Sequence, residues 1–313
     1  MEATIRWTLV TAVAPVAWGT TYFVTRHFLP ADHPLYGAAI RALPAGVLLL
    51  AITRSRPHGS WWWRSLVLGT MNIGAFFALI YVAAQLLPSS LASTLMATSS
   101  LVMMLLAWPL LAERPHRLSL LGAGVGIGGV ALMLLGDAGA IDPLGVLASL
   151  AAMLMSAVGY ILTKKWSPEL DVLALTSWQL IAGGLVILPI AVLVEGAPPA
   201  LDAQALGGFA YVTVVATALA FAAWFSGLRH LDAGTVGLVG LLNPVAGVLL
   251  GVLLGAESFG SQQLAGAVLV VLGIFLGQPL ARRFLAARTA RSGPVIAPLA
   301  MSAPRATHHE LAN

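Results

Sequence analysis

The sequence predicts an all-α integral membrane protein. Two observations predict this fold class: a composition too poor in charge for a water-exposed surface, and a series of long apolar segments. Charged residues make up 9% of the chain, against about 25% in typical soluble domains. Hydrophobic residues make up 59%. Because so few charges could not cover a water-soluble protein, we expect the chain to lie in a lipid bilayer.

Ten segments of the chain are long and apolar enough to cross a bilayer as helices, which takes about 20 residues each. Pro, Gly or charged residues separate most of them. The ten predicted spans are residues 7–25, 35–53, 63–85, 90–111, 118–136, 143–163, 172–194, 205–226, 234–254 and 262–281. The remaining stretch, residues 285–313, is rich in Ala, Pro, Arg and Ser and has no apolar periodicity, which predicts a disordered tail.

The basic residues fall almost entirely on one side of this arrangement. Arg26 is the only Lys or Arg in the loops of the other side. Because cytoplasmic loops carry an excess of Lys and Arg, both termini and the tail are predicted to be cytoplasmic. We expect a multi-pass protein of the plasma membrane, of the bacterial inner-membrane type. The scattered placement of the basic residues also argues against a nucleic-acid partner.

Two segments of the chain repeat each other. LAERPHRLSLLGAGVGIGGVALML, residues 111–134, matches GAESFGSQQLAGAVLVVLGIFLGQ, residues 255–278, and places Glu113 on Glu257. At this offset of 144 residues, spans 3 to 5 lie over spans 8 to 10.

The first two spans of each half also correspond, at an offset of 138 residues. This offset places Arg26 on Lys164, Arg41 on Gln179 and Gly46 on Gly184. Because five spans is an odd number, the second copy must enter the membrane from the opposite face. The predicted repeats are residues 1–137 and 138–284. Inverted repeats of this kind recur in secondary transporters, whose two halves rock around a central site.

The two repeated segments resemble the EamA-type repeat of the drug/metabolite transporter superfamily. The shared pattern is a mid-helix Pro, a small-residue and Leu run that ends in Gly-Glu or Ala-Glu, a short hinge and a Gly-rich last span. AWGTTYFVTR in span 1 is similar to the opening helix of the family. The resemblance implies ten spans and transport of amino acids, other metabolites, sugars or cationic drugs. The first repeat departs from the pattern at Ser100, where Pro244 of the second repeat predicts a kink.

Polar and aromatic side chains near the middle of the spans are the candidates for contact with a substrate. Such groups tend to face the protein interior or a water-filled cavity. Alternatively, Ser and Thr can bond carbonyls of their own helix or join neighbouring helices. The predicted substrate-binding residues are Trp18, Thr21, Arg41, Asn72, Thr98, Ser99, Tyr160, Thr217, Trp224 and Asn243.

Arg41 is the only basic residue well inside a span, and no Asp or Glu lies at mid-membrane depth to pair with it. It could hold a substrate carboxylate, or it could extend outward and fix a helix end. Glu113 and Glu257, at span ends, are predicted to cap hinges, and Pro244 to shape span 9. With no acid at mid-depth, a facilitator or exporter is favoured over a proton antiporter.

Other functional classes lack their characteristic residues. The chain has no Cys, and every His lies in a loop or the tail, so we expect neither an enzyme nor a metal or cofactor site. The favoured function is an alternating-access transporter of small metabolites such as amino acids. A multidrug or lipophilic-cation exporter of the same fold is the alternative, and a channel or sensor is a weaker one.

The glycines of the last span in each half are predicted to let helices pack closely, with a homodimer seam as the second possibility. They are Gly122, Gly126, Gly128, Gly266, Gly273 and Gly277.

Overall fold

The computed structural model describes residues 2–30, 32–86, 95–134, 142–167, 169–255 and 260–278, and throughout these ranges the regular elements are helices. Glu257 and the predicted tail lie outside them. The α-helices are α1 Glu2–Phe28, α2 Pro34–Thr53, α3 Trp61–Gly69, α4 Ala75–Leu86, α5 Ser99–Leu111, α6 Arg117–Leu134, α7 Pro143–Trp166, α8 Val172–Glu195, α9 Ala203–Thr213, α10 Ala220–His230, α11 Ala233–Val239, α12 Leu242–Gly255 and α13 Ser261–Gly277.

Two short π-helical segments join pairs of these helices. Thr70–Gly74 connects α3 to α4, and Val214–Leu219 connects α9 to α10. Their first residues are 144 positions apart, which is the offset of the sequence repeat. A π-helical turn breaks the regular i→i−4 ladder and is frequent at functional sites.

Several helices are long and apolar enough to cross a membrane. Among the described residues these are Pro34–Thr53, Trp61–Ala83, Pro143–Trp166, Val172–Glu195 and Ala203–His230. Shorter apolar helices are Leu95–Leu111, Arg117–Leu132, Ala233–Gly247 and Ser261–Gly277. Large apolar side chains point outward on most of them, as expected of a surface in contact with lipid; examples are Leu9, Val13, Leu147, Leu154, Leu193, Leu253 and Phe275.

Local sequence explains where several helices begin. Asp142, Asp171 and Asp202 each lie just before a helix, and their carboxylates accept backbone N–H bonds from Leu144, Ala174 and Ala205 respectively. These are ordinary N-caps, which satisfy amides that have no partner inside the helix.

The helix ends are set differently. Both α2 and α5 are followed by a residue in the left-handed conformation, Arg54 (φ 51°) and Ala112 (φ 58°). A left-handed residue turns the chain away from the helix axis at this point.

Span 9, where Pro244 predicts a kink, is interrupted ahead of the proline. Residues 240 and 241 interrupt it between α11 and α12, and Pro244 lies in the first turn of α12, where a helix does not need its missing N–H. Span 4 is also interrupted, at Thr98, although Ser100 stands in place of the proline. The interruption in span 4 therefore does not require a proline at position 100.

Two pairs of helices pack closely through glycines. In the pair of α6 and α13, a Cβ on Gly129 would lie 2.7 Å from the carbonyl oxygen of Gly266, and one on Gly122 would collide with that of Gly273. In the pair of α2 and α8, Gly46 packs against Ile181. Of the glycines predicted to serve close packing, Gly122, Gly126, Gly273 and Gly277 do so within the fold, whereas Gly128 faces open space.

The other helices form two groups. Bundle A consists of α3, α4, α5 and α7, with α7 in contact with α4 and α5. Bundle B consists of α1, α9, α10, α11 and α12, with α1 in contact with all the others. Each bundle combines helices from before and after residue 138, so the two sequence halves interlock and do not form separate lobes.

Candidate functional site

Arg41 of α2 is held by the π-helical segment Val214–Leu219. Its Nε donates to Thr217 Oγ1 (2.9 Å) and its Nη2 to the carbonyl oxygen of Ala216 (3.1 Å). The guanidinium carbon lies 5.0 Å from the centre of the Phe77 ring. Arg41 is partly exposed and pairs with no carboxylate of the described residues. Since the arginine side chain has five N–H donors, three remain beyond these two bonds.

The carbonyl oxygen of Ala216 also accepts a second side chain. The indole Nε1 of Trp18 in α1 donates to it at 3.1 Å. One backbone oxygen of the π-helical segment therefore joins α1, α2 and the α9–α10 span.

A buried amide network lies at the other π-helical segment. Asn72 Nδ2 donates to Thr163 Oγ1 of α7 (3.2 Å) and to Gln179 Oε1 of α8 (2.7 Å). Asn72 and Gln179 are both fully buried. The Oδ1 of Asn72 packs against Gly159, where a Cβ would collide with it. Asn72 was predicted to bind substrate, but in this conformation it joins three spans and faces no open cavity.

An aromatic cluster, defined as Trp18, Tyr160, Phe221, Trp224 and Phe225, lies beside the Arg41 site. Ring centres are 5.3 Å apart for Trp18 and Trp224, and 5.5 Å for Tyr160 and Trp224. Trp224 is buried, and its Nε1 has no hydrogen-bond partner among the described residues. The structure thus brings together Trp18, Tyr160 and Trp224, and Trp18 connects them to the carbonyl that Arg41 binds.

A separate groove of about 340 Å³ opens between α1 and α9. Val24, Phe28, Gly207 and Gly208 give it a mostly apolar lining. No residue predicted to bind substrate lines this groove.

Comparison with known proteins identifies the family of the chain. The sequence model of the EamA-like transporter family matches residues 5–135 and 143–277. The chain belongs to the EamA-like transporter family.

Curated relatives of this EamA-like transporter match it over most of their length. PecM of Dickeya dadantii (strain 3937) is 38% identical over 269 residues, which cover 85% of this chain and 90% of PecM. The "Probable amino-acid metabolite efflux pump" of Salmonella typhimurium is 29% identical, covering 83% and 91%. The inner membrane transporter YedA of Escherichia coli K12, described as uncharacterized, is 27% identical, covering 83% and 87%.

A solved crystal structure has the same fold as this EamA-like transporter. Its TM-score is 0.79 at 20% sequence identity, and the match covers 89% of this chain and 98% of that one. Together with its long apolar helices, the family membership makes the chain a multi-pass membrane protein.

The remaining predicted site residues of this EamA-like transporter differ in accessibility. Thr21, Thr98, Ser99 and Asn243 are partly exposed, and the hydroxyls of Thr21 and Thr98 bond carbonyls of their own helices. Thr217 is fully buried and serves Arg41 as an acceptor.

Glu113 was predicted to cap its own hinge, and in the structure of this EamA-like transporter its carboxylate contacts other parts of the chain. Its carboxylate pairs with Lys164 at 2.6 Å and accepts the N–H of Ala233 at 2.8 Å, so it caps the start of α11. The chain folds back far enough that the end of span 4 meets the start of span 9.

Two contacts of the site in this EamA-like transporter were not predicted from the sequence. Gln179 was recognised only as the repeat counterpart of Arg41, and that correspondence could have nominated it as a polar residue of the same kind. Nothing in the sequence marked Phe77 as the ring over which Arg41 lies, because an aromatic residue in an apolar span is usually part of the core.

Proposed function

We propose that this protein is a secondary transporter of small carboxylate-bearing metabolites such as amino acids, operating by alternating access, with Arg41 as the contact for the solute carboxylate. The observation that carries the proposal is the state of Arg41. Its guanidinium is oriented by bonds to Thr217 and Ala216 and is partly exposed. It still has unused N–H donors, and no carboxylate of the described residues pairs with them. Planar guanidinium groups bind carboxylates in two-bond geometry.

The aromatic cluster supports a solute with an apolar part. Trp18 and Tyr160 supply ring surface, and the unpaired Nε1 of Trp224 is a buried donor that a polar solute group could satisfy. Ligand sites commonly combine apolar walls with a few oriented polar groups. The relative from Salmonella typhimurium is named for the efflux of amino-acid metabolites, and we extend that class of solute to this chain.

Alternating access is supported by the correspondence between the two halves. At the offset of 144 residues, Gly122 corresponds to Gly266 and Gly273 to Gly129. The structure has a close approach both between Gly122 and Gly273 and between Gly266 and Gly129. The contact of Gly46 with Ile181 likewise becomes that of Gly184 with Leu43. Contacts that exchange in this way are expected of two copies related by a twofold axis in the membrane plane.

The proposed topology follows from this relation. It has ten spans in two inverted repeats, residues 1–137 and 138–284, with both termini on the cytoplasmic side of a bacterial-type inner membrane. The π-helical segments at equivalent positions of spans 3 and 8 are further support.

The alternative solute class is a lipophilic cation or drug. A cation would need a counter-charge in the site. The described Asp and Glu residues lie at helix ends or in loops, and the charge at the centre is the positive one of Arg41. A site of this sign favours an anionic group. A channel or sensor remains the weaker alternative.

The distribution of acids also favours a facilitator or exporter over a proton antiporter. Proton-driven carriers usually place ionisable residues within the membrane. Glu113 is engaged by Lys164 and Ala233, and Glu195 by the N–H groups of Leu35 and Tyr36, at the ends of helices in both cases.

Counterflow in proteoliposomes tests the proposal. Vesicles loaded with an unlabelled amino acid should take up the radiolabelled form faster than empty vesicles, and uptake should saturate. A panel of amino acids, their uncharged amides and quaternary ammonium compounds defines the solute class, and an imposed pH gradient without a solute gradient should drive no accumulation. Transport restricted to the cations, or uptake that does not saturate, would contradict it.

A further inference from the structure

A compact set of polar contacts lies where the ends of α5 and α7 meet the corner between α10 and α11. Glu113 follows α5, and its backbone N–H bonds the carbonyl oxygen of Ala107 at 3.2 Å, which fixes the direction of the chain. Its carboxylate lies 2.6 Å from Lys164 Nζ near the end of α7. Both residues belong to bundle A, so this ion pair by itself joins helices of one bundle.

Two further bonds cross to bundle B. The N–H of Ala233 donates to Glu113 Oε2 at 2.8 Å, and Lys164 Nζ donates to the carbonyl oxygen of Leu231. Asp232, in the N-cap position of α11, makes no side-chain capping bond. The carboxylate of Glu113 therefore supplies the cap of a helix in the other bundle, where a negative charge is also favoured by the helix dipole.

These crossing bonds lie on the interface where α5 of bundle A packs against α11 of bundle B. Gly234 packs against Met104, and a Cβ on Gly237 would lie 3.1 Å from the Cα of Ser100. Small residues on α11 thus allow the two bundles to meet, and the polar contacts lie beyond Met104 at the end of the same interface.

We propose that Glu113, Lys164, Leu231 and Ala233 form a latch that holds the two bundles together at this end of the molecule, and that the latch must open each time the site becomes accessible from this side. The inference rests on the proposed function, because only a transporter with alternating access needs this interface to separate. The ion pair orients the two charged groups. In bundle B they bind the N–H of Ala233 and the carbonyl oxygen of Leu231.

The latch is of a strength that a conformational cycle can break. The side chains of Lys164 and Glu113 are 17% and 21% exposed, so water already reaches both groups and can solvate them when the interface separates. The loss of one charged group should therefore shift the equilibrium of the interface without unfolding the protein.

Thiol accessibility tests the latch directly, because the chain has no native cysteine. Met104→Cys places a reporter in the interface, where residue 104 is buried. In lipid nanodiscs, E113Q or K164Q should raise its labelling rate by a charged methanethiosulfonate reagent roughly three- to tenfold. Ala107→Cys, also at a buried position, is the second reporter in case the first disturbs packing.

Matched controls are available for the two charged residues of the latch. Lys165 and Glu169 are exposed neighbours, so K165Q and E169Q make the same changes in charge outside the latch and should leave labelling at its basal rate. Equal labelling in the latch variants and the controls, with both reporters, would overturn the inference.

A charge exchange separates the latch from a simple ion pair. The double variant E113K/K164E restores opposite charges, but it turns an ammonium toward the N–H of Ala233 and a carboxylate toward the carbonyl of Leu231. The latch predicts that labelling stays high in this variant, and full protection would show that the backbone contacts are dispensable. Labelling needs no solute, so the two proposals can fail separately. If the latch variants label faster as expected but the protein shows no counterflow, the proposed function is contradicted. If counterflow is normal but the latch variants label at the basal rate, the latch is contradicted.

Discussion

At the scale of single residues, the two halves of the chain contact their π-helical segments with different side chains. Arg41 and Gln179 are counterparts in the predicted repeat, and each reaches a π-helical segment of the other half. Gln179 is fully buried, and its Oε1 accepts from Asn72 Nδ2 at 2.7 Å. Arg41 is partly exposed and donates to a backbone carbonyl and a hydroxyl. Under the proposed function, the positive charge and the exposure of Arg41 are what would suit it to an anionic solute.

Replacement of Arg41 should separate its charge from its geometry. R41K keeps the positive charge but removes the planar guanidinium that bonds Thr217 and Ala216. R41Q removes both the charge and the guanidinium. Because a hydrogen bond to a charged group contributes about 1.5–3 kcal/mol, we expect the half-saturating solute concentration to rise roughly tenfold or more in R41Q, with R41K intermediate. Counterflow at graded solute concentrations measures this.

The control for that change is R54Q. Arg54 ends the same helix and is exposed, so its loss removes an equal charge away from the site. If R54Q impaired transport as much as R41Q, the effect would belong to the overall charge and not to the Arg41 site.

The sequence predicted some of these residues and not their partners. Arg41 stood out because a charge inside an apolar span is rare, but nothing in the sequence revealed that the carbonyl of Ala216 would meet it. Asn72 also stood out, as a polar side chain near the middle of an apolar span, and in this structure its Nδ2 bonds Thr163 and Gln179. A polar side chain predicts that a partner exists, and only the packing of other helices decides whether that partner is solute or protein.

At the scale of elements, glycine was the most informative signal. The Gly-rich α6 and α13 were predicted to pack closely, and they approach within contact of each other's backbone at Gly129 and Gly266. The π-helical segments were not predicted, because they have no distinctive composition. The break at Thr98 was also missed, since the prediction relied on a proline that the first repeat lacks.

Two neighbouring glycines of α6 should respond in opposite directions to alanine. In G129A the new Cβ would lie 2.7 Å from the carbonyl oxygen of Gly266, so the helices must separate, and overpacking of this kind costs about 1–3 kcal/mol. In G128A nothing lies within 4 Å, and alanine should stabilise the helix slightly. Thermal unfolding in detergent should show a lower Tm for G129A only. Equal Tm values would mean that α6 and α13 do not pack as closely as described.

At the scale of the whole molecule, composition and periodicity predicted a helical membrane protein, and the family match agrees. The sequence repeat could align spans but could not say which spans touch. The interlocking of the halves in bundles A and B therefore came only from the structure. The contact of Glu113 with Ala233 illustrates this, because it joins the end of span 4 to the start of span 9.

Sidedness is the prediction at this scale. Arg56 and Ala197 each lie three residues after the predicted end of a span, span 2 and span 7 respectively, and both are exposed. An inverted arrangement puts them on opposite faces of the membrane. Single-cysteine variants R56C and A197C in intact cells should react with an impermeant maleimide only at position 197. Labelling of both positions, or of neither while both react after permeabilisation, would contradict the inverted repeat.

The fixed charge of Arg41 has a consequence for energetics across an energised membrane. A membrane potential acts on a charge within its field by about 2.3 kcal/mol per 100 mV for a full crossing. A monoanionic solute bound to Arg41 would cancel that charge, so the loaded carrier would reorient without electrical work while the empty one would not. A zwitterion adds no net charge and leaves the loaded carrier positive. The voltage dependence of exchange and of net flux would then differ between acidic and neutral solutes. That difference would show whether the loaded or the empty carrier moves charge when it reorients.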